Sequence, residues 1–185
     1  AKDSAAGPDD IHYLLIKHLD NTAKIVLLSL YNEIYRGDRE FPPDWRRATV
    51  VPFPKPGKDP TQPGGYRPIA LTSCLCKIME RMINNRLVWY LEKNDILTPF
   101  QAGFRKSRST NDQLVRLETL IRDAFINNDH VVSICFDLEK AYDTTWKYGI
   151  LKDLHDSGLS GNLPTFIQNF LKDRIFNVRL GTTVS

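Results

Sequence analysis

Proline is concentrated in one segment of this chain, and that segment limits what the middle of the sequence can fold into. Eight of the eleven prolines lie between Pro42 and Pro68, together with Gly57, Gly64 and Gly65. Because proline fixes φ and lacks a backbone N–H, a continuous helix is excluded here and extended or turn backbone is favoured.

The alternative interpretation of this segment is a proline-rich linker between two domains. Solvated linkers have few apolar side chains, whereas this segment carries six that can be buried. They are Trp45, Val50, Val51, Phe53, Tyr66 and Ile69. We therefore predict a loop region that belongs to a folded body.

Charge is distributed unevenly along the chain. The net charge is only +3, but residues 43–110 hold twelve Lys and Arg against five Asp and Glu. A composition that is 42% apolar and 25% charged is typical of a globular protein and argues against disorder. No apolar run approaches the roughly 18 residues that a membrane span requires. We expect an intracellular protein whose middle segment is basic.

The spacing of apolar residues predicts helices and strands in mixed order. Helices are expected at 10–20, 23–36, 73–93, from Thr110 to about 125, at 146–156 and at 161–172, and strands at 131–136 and 175–180. The apolar faces of helices 73–93 and 110–125 are expected to lie in the core, as are Cys74, Cys76 and Cys135 in reduced form. Without a strict alternation of strand and helix, the class is α+β.

Three carboxylates follow the predicted strand 131–136, namely Asp137, Glu139 and Asp143. Carboxylate oxygens are ligands that suit Mg²⁺, and two such ions can activate a phosphoryl transfer. The alternative is that Asp137 starts a turn or caps a helix, with Glu139 and Asp143 on the solvated face of that helix. The spacing alone does not decide between these interpretations.

The carboxylates stand in a longer pattern of ordered motifs. The segments upstream are 45–52 (WRRATVVP), 54–60 (PKPGKDP), 66–71 (YRPIAL) and 101–105 (QAGFR) with 108–110 (RST). In this order they resemble the fingers and early palm of a reverse transcriptase of the kind encoded by non-LTR, LINE-type retrotransposons. Segment 6–11 (AGPDDI) resembles the part of that family that precedes the fingers.

The resemblance implies a role for each matched residue of the reaction centre. Asp137 matches the first catalytic aspartate, a ligand to both Mg²⁺ ions, and the carbonyl of Leu138 would bind one of them. Tyr142 matches the aromatic side chain that excludes a 2′-hydroxyl. Lys55 and Arg67 match the fingers residues that bind the triphosphate, which fits the chemistry of ammonium and guanidinium groups on phosphate.

The same resemblance implies a path for template and primer along the basic segment. Its residues would supply sequence-independent affinity through phosphate contacts, with one aromatic ring available for stacking. They are Arg46, Arg47, Lys58, Phe104, Arg105, Lys106 and Arg108. Glu139 and Asp143 are expected to have structural or capping roles.

The implied architecture is a right-hand polymerase that is truncated before the second half of the palm and the thumb. Residues 1–130 would form the N-terminal segment and fingers, and 131–185 the start of the palm. No adjacent pair of aspartates follows Asp143, so we expect a fragment that is inactive alone.

The implied partners are an RNA template, a DNA primer, dNTPs and the rest of a parent polyprotein with an endonuclease domain, in the nucleus and cytoplasm. One alternative is a non-catalytic nucleic-acid-binding remnant of a decayed element. Another is an unrelated Mg²⁺ phosphotransferase that uses Asp137, although no glycine-rich phosphate loop supports it.

Overall fold

The computed structural model describes residues 5–142 and 144–185 of the chain. The chain divides into two compact units, Ala1–Asn85 with Lys147–Ser185 and Arg86–Trp146. The helices are α1 (Tyr13–Lys17), α2 (Asn21–Arg36), α3 (Cys74–Lys93), α4 (Thr110–Ile126), α5 (Lys147–Asp156) and α6 (Asn162–Leu171). The strands are β1 (Arg47–Pro54), β2 (Tyr66–Leu71), β3 (Ile175–Leu180) and β4 (Thr183–Val184).

The strands form one mixed sheet in the order β2-β1-β3-β4, within the first unit. The proline-rich segment is a hairpin of β1 and β2, antiparallel from Thr49 opposite Leu71 to Pro54 opposite Tyr66. β3 pairs in parallel with β1 only as far as Val50. The prolines of β1 lie beyond that point, where one edge of the strand is unpaired and no N–H is required on it. This arrangement explains how a proline-rich sequence forms a central strand.

The core of the first unit is built largely from aromatic side chains. Phe41 packs edge-on against Trp45, Phe166 and Phe170, with ring centroids 5.8 to 6.0 Å apart. Trp45 also packs against Tyr31, whose buried hydroxyl donates to the carbonyl of Leu75 at 2.8 Å. Burial raises the pKa of Tyr31 well above its ordinary value. The segment before β1 is therefore tied to the helices of this unit and is no linker.

Local signals set the helix ends close to where the sequence predicts them. Asp20 caps α2 by accepting from the N–H of Ala23 at 2.7 Å, and Gly37 ends the helix with φ +87°. α4 begins at Thr110 as predicted, and Ser109 with Asp112 forms the capping box at its start. The other predicted helices and the strand at 175–180 are confirmed, whereas the helix expected at 10–20 extends only over Tyr13–Lys17.

Three predictions for the second unit are wrong. Residues 131–136 have no regular secondary structure, since no strand among the described residues pairs with them. α4 has no buried residue, and its predicted inner side chains Leu114 and Leu120 are more than half exposed. Cys135 is exposed, whereas Cys74 and Cys76 are buried as expected. Periodicity identifies an apolar face, but it does not supply the surface that covers it.

The division of the chain at residue 130 into fingers and palm is a functional assignment, and it stays a prediction. The two compact units divide the chain elsewhere, at Asn85 and Lys147. Across residues 5–142 and 144–185, no helix is both long enough and apolar enough to cross a bilayer.

Candidate functional site

The hairpin of the first unit brings two of the predicted phosphate-binding residues to one face. Arg67 lies directly opposite Phe53 in the register, and Lys55 follows Phe53 by two residues. Side chains two apart on a strand, and those opposite each other on paired strands, share a face. The N–H of Lys55 donates to the carbonyl of Gly65 at 2.7 Å, which extends the ladder by one step. Lys55 and Arg67 are therefore diagonal neighbours.

Glycine at position 65 allows the loop between the strands to pack against the hairpin next to Lys55. A Cβ added there would overlap the backbone carbonyl of Asp59, because the loop between the strands folds closely against this residue. Arg67 is exposed and Lys55 is half-buried. The ammonium of Lys55 donates to the carbonyl of Gly64 at 3.0 Å. This face thus carries two cations, and the backbone of the loop occupies the space next to Gly65.

The loop 55–65 has a defined internal structure. Asp59 accepts from the backbone N–H and the hydroxyl of Thr61 at 2.8 and 2.7 Å. The hydrogen bond from the Thr61 hydroxyl holds the pKa of the Asp59 carboxyl below its ordinary value. The hydroxyl of Tyr66 donates to the carbonyl of Pro60 at 2.9 Å. Lys58 is exposed on this loop.

The two arginines before β1 have different surroundings. The guanidinium of Arg46 lies over the Phe41 ring at 5.5 Å from the centroid and 3.7 Å from an Asp173 carboxylate oxygen, with 22% of its side chain exposed. The side chain of Arg47 is 61% exposed, and its Nε forms only a long ion pair, 4.0 Å from a carboxylate oxygen of Asp44. Of the two, Arg47 is the residue available for a phosphate contact.

Arg105 of the second unit is almost fully engaged with the protein. It donates to the carboxylate of Glu92 through Nε at 2.8 Å and through Nη2, and to the carbonyls of Thr98 and Gln101 through Nη1. Only 8% of its side chain is exposed. The hydrogen bond lowers the pKa of Glu92 and raises that of Arg105.

The neighbours of Arg105 in sequence point outward. Lys106 and Arg108 are exposed, and the ring of Phe104 is 92% exposed. Phe104 and Ser107 both have φ +60°, a conformation that non-glycine residues seldom adopt. The segment therefore presents one ring and two cations to solvent.

The residues predicted to bind the metal ions and the sugar also lie in the second unit. Lys55 and Arg67 belong to the first unit. Asp137 is exposed, and Leu138 and Tyr142 are 79% and 82% exposed. The backbone turns at Glu139 and Lys140, and the N–H of Thr144 donates to the carbonyl of Lys140 at 3.0 Å. Asp143, for which a capping role was predicted, lies outside the described residues.

The oxygen atoms at this position fit part of a divalent-metal site. An exposed carboxylate and a neighbouring carbonyl are donors that Mg²⁺ accepts, since this ion keeps several waters and substrate oxygens in its shell. Within residues 5–142 and 144–185, no group of three or more His, Cys, Asp or Glu side chains is gathered for a metal. Asp137 is therefore a single carboxylate, with no group of side-chain ligands gathered around it among these residues. Enzymes of the reverse transcriptase kind use divalent metal ions.

Sequence reasoning missed Glu92 and Gly65. Glu92 stands thirteen residues before Arg105, at the end of a helix, and no local spacing rule pairs them. Gly65 could have been found from its position beside a predicted turn, where a glycine often marks a close approach of two backbone segments. Gly65 has no functional group, and the carboxylate of Glu92 belongs to no sequence motif that would mark a site.

Comparison with known proteins gives a consistent result. A sequence model described as "Reverse transcriptase (RNA-dependent DNA polymerase)" matches residues 53–184. The probable RNA-directed DNA polymerase from transposon BS of Drosophila melanogaster is 35% identical over 97% of this chain and 20% of its own length. The RNA-directed DNA polymerase from mobile element jockey of the same species is 32% identical over 94% of this chain and 19% of its own length.

A more distant relative extends the comparison to another insect. The retrovirus-related Pol polyprotein from the type-1 retrotransposable element R2 of Popillia japonica is 27% identical over 97% of this chain and 24% of its own length. The chain spans about a fifth of the length of these two Drosophila relatives.

Proposed function

Because this chain belongs to the reverse transcriptase (RNA-dependent DNA polymerase) family of non-LTR elements, we propose that it forms the fingers and the first catalytic segment of an RNA-directed DNA polymerase. Residues 1–130 are the N-terminal segment and fingers, and 131–185 begin the palm. The chain acts within a longer polypeptide, which supplies the remaining metal ligands and the thumb.

The observation that carries the proposal is the shared face of Lys55 and Arg67 on the hairpin. A compact ammonium and a planar guanidinium together bind the oxygens of a triphosphate, since the first acts as a point charge and the second as a fork. We assign both residues to the triphosphate of the incoming dNTP.

Asp137 holds the divalent ions in this proposal, together with the backbone carbonyl of Leu138. We infer Mg²⁺ as the ion, since the donors are oxygen atoms and the substrate brings phosphates. A bound pair of such ions stabilises the charge of the attacking and leaving oxygens in nucleotidyl transfer. Tyr142 packs against the sugar and selects deoxyribose.

The exposed cations Arg47, Lys58, Lys106 and Arg108 bind the phosphates of an RNA template and a DNA primer. The relatives are several times longer than this chain, which supports a parent polyprotein. An endonuclease domain elsewhere in that polyprotein follows from the family alone.

The test is Asp137→Asn in the full-length polymerase, with primer extension on an RNA template as the readout. We expect extension to be abolished, because the amide carries no charge for the metal ions, while template affinity changes less than twofold. The matched control is Asp129→Asn, the same chemical change at another exposed aspartate of the same unit, which should leave extension unchanged.

Three outcomes separate the candidate functions. Retained extension by the Asp137→Asn protein contradicts the metal role of this residue. An unaltered full-length protein that binds RNA but never extends a primer favours the alternative, a nucleic-acid-binding remnant. Loss of extension by both aspartate variants indicates a general structural effect instead of a metal role.

A further inference from the structure

Arg105 connects three parts of the second unit through one side chain. Its guanidinium bonds the carboxylate of Glu92, near the end of α3, and the carbonyls of Thr98 and Gln101 in the segment that follows. A planar fork bonded on several sides has its position fixed by its partners. The backbone beside Arg105 is therefore held in place, although no residue described within 86–146 is buried.

Phe104, the residue before Arg105, combines an unfavourable backbone conformation with an exposed ring. Its backbone is in the left-handed region, which costs of order 1–2 kcal/mol for an L-residue, and 92% of its area faces solvent. A large ring left in water gains no stabilisation from burial. A strained backbone at a ring that gains nothing from burial indicates that the position serves a ligand, because no burial within the chain offsets the strain.

The surroundings of Phe104 fit one kind of ligand. Lys106 and Arg108 follow it within four residues and are exposed. Cations interleaved with an exposed ring are typical of proteins that bind single-stranded nucleic acid, in which bases stack on the ring and phosphates meet the cations. A duplex offers no unstacked base to such a ring.

We propose that the Glu92–Arg105 pair is a positioning device that holds Phe104 where it stacks on an unpaired base of the RNA template. Arg105 therefore acts through Phe104 and does not itself bind phosphate. The device is useful only if the chain binds RNA, as the proposed function requires.

The test is a double-mutant cycle on the 185-residue chain with a short unstructured RNA oligonucleotide, followed by fluorescence anisotropy. Phe104→Ala should weaken binding about tenfold, in the range measured for one base stacked on an aromatic side chain. Arg105→Gln should weaken binding to a similar extent. In the Arg105→Gln protein, Phe104→Ala should weaken RNA binding by less than a further twofold, because the ring is no longer positioned.

Arg105→Lys separates positioning from simple charge. Lysine keeps the positive charge but cannot bond Glu92 and the two carbonyls together, so the loss of affinity should persist. The loss should also remain at high salt, where phosphate contacts are weak. Rescue of affinity by lysine, or disappearance of the loss at high salt, overturns the positioning role and makes Arg105 a phosphate contact.

Arg122→Gln is the matched control, since Arg122 forms an exposed ion pair with Glu118 within α4. It should change RNA affinity less than twofold and leave the Phe104→Ala effect intact. If Arg105→Gln lowers the melting temperature enough to prevent the assay, Glu92→Gln replaces it and should show the same coupling to Phe104.

The remaining outcomes are also decisive. Additive losses at the two positions overturn the positioning role but leave RNA binding in place. An unaltered chain without measurable affinity for RNA overturns both the positioning role and the nucleic-acid part of the proposed function. Activity of the Asp137 variants bears on neither of these results.

Discussion

The two units of this chain differ in the interactions that stabilise each of them internally. In the first unit, rings such as Phe41 and Phe166 are about 95% buried and pack on one another. In the second unit, no described residue is buried, and Phe125 and Trp89 are mostly exposed. Order there comes from polar and cation–π contacts within the unit.

The second unit shows how much structure polar and cation–π contacts can specify. Ser109 and Asp112 cap α4 reciprocally, the Arg116 guanidinium stacks on the Phe100 ring at 3.8 Å, and Arg105 bonds the end of α3. Each such contact contributes little individually, whereas buried rings contribute several kcal/mol each. The first unit therefore carries most of the stability of the chain.

The largest expected effect tests this difference directly. Phe166→Ala removes a ring that is 4% exposed and contacts Tyr35, Phe41 and Phe170. We expect a loss of about 3–5 kcal/mol in the free energy of unfolding, because the lost burial is joined by a cavity. The measurement is urea denaturation followed by circular dichroism.

The matched substitution in the second unit is Phe125→Ala, also within a helix but at a ring that is 74% exposed. It should cost less than about 0.5 kcal/mol, as surface substitutions usually do. Equal costs at the two positions would mean that α4 does bury its apolar face in solution. The contrast between the units would then be wrong.

The sequence predicts elements that depend on neighbouring residues. Helices α2 and α3 and strand β3 are found near their expected positions, because capping residues, glycine and apolar periodicity act over a few residues. The interpretation of the proline-rich segment as part of a folded body is also confirmed, since its Trp45 is buried.

Elements that need distant partners are predicted less well. The run from Val131 to Phe136 has the composition of a buried strand, but a strand is stable only beside another strand. Its side chains Ile134 and Phe136 are 71% and 91% exposed. The composition of a segment therefore indicates which secondary structure it can form, while the presence of a pairing partner determines whether it forms it.

The candidate site shows the same division. The order of the motifs assigns Lys55 and Arg67 to one ligand, but their shared face depends on the pairing of β1 with β2, two strands that the spacing of apolar residues did not predict. The Glu92–Arg105 pair joins residues thirteen apart through a turn whose path no spacing rule gives. Two residues assigned to nucleic acid, Arg46 and Arg105, turn out to be the most enclosed cations of that set, with side chains 22% and 8% exposed.

A second prediction compares the loops of the two units, 55–65 and 98–108. The first depends on backbone fit, since a Cβ at Gly65 would overlap the carbonyl of Asp59. Gly65→Ala should therefore destabilise the chain by about 1–3 kcal/mol, the usual cost of overpacking, because the contacting atoms are backbone and cannot rotate away. Thermal unfolding of the chain measures this loss.

Gly64→Ala is the adjacent control. A Cβ at Gly64 meets nothing within 4 Å, so this substitution should be neutral or stabilise by about 0.4–1 kcal/mol through the unfolded chain. A loss at Gly64 as large as that at Gly65 would indicate that the loop tolerates no side chain anywhere. The specific close approach would then not explain the result.

The smallest expected effect concerns the second loop, which depends on an ion pair. Arg105 lowers the pKa of Glu92 below its ordinary value of 4.5, so the stabilisation is present above that value and is lost as the pH falls through the lowered pKa. The difference in urea midpoint between the unaltered chain and Glu92→Gln should be constant near neutral pH. Below pH 4.5 it should narrow progressively.

Glu118→Gln provides the reference for this effect, because Glu118 forms an exposed pair with Arg122 within α4. Fully solvated pairs contribute little, so its midpoint should follow that of the unaltered chain at every pH. A Glu92→Gln difference that persists unchanged at low pH would show that the carboxyl group stabilises by shape alone. The second loop would then resemble the first, because close packing would stabilise it and the ion pair would not.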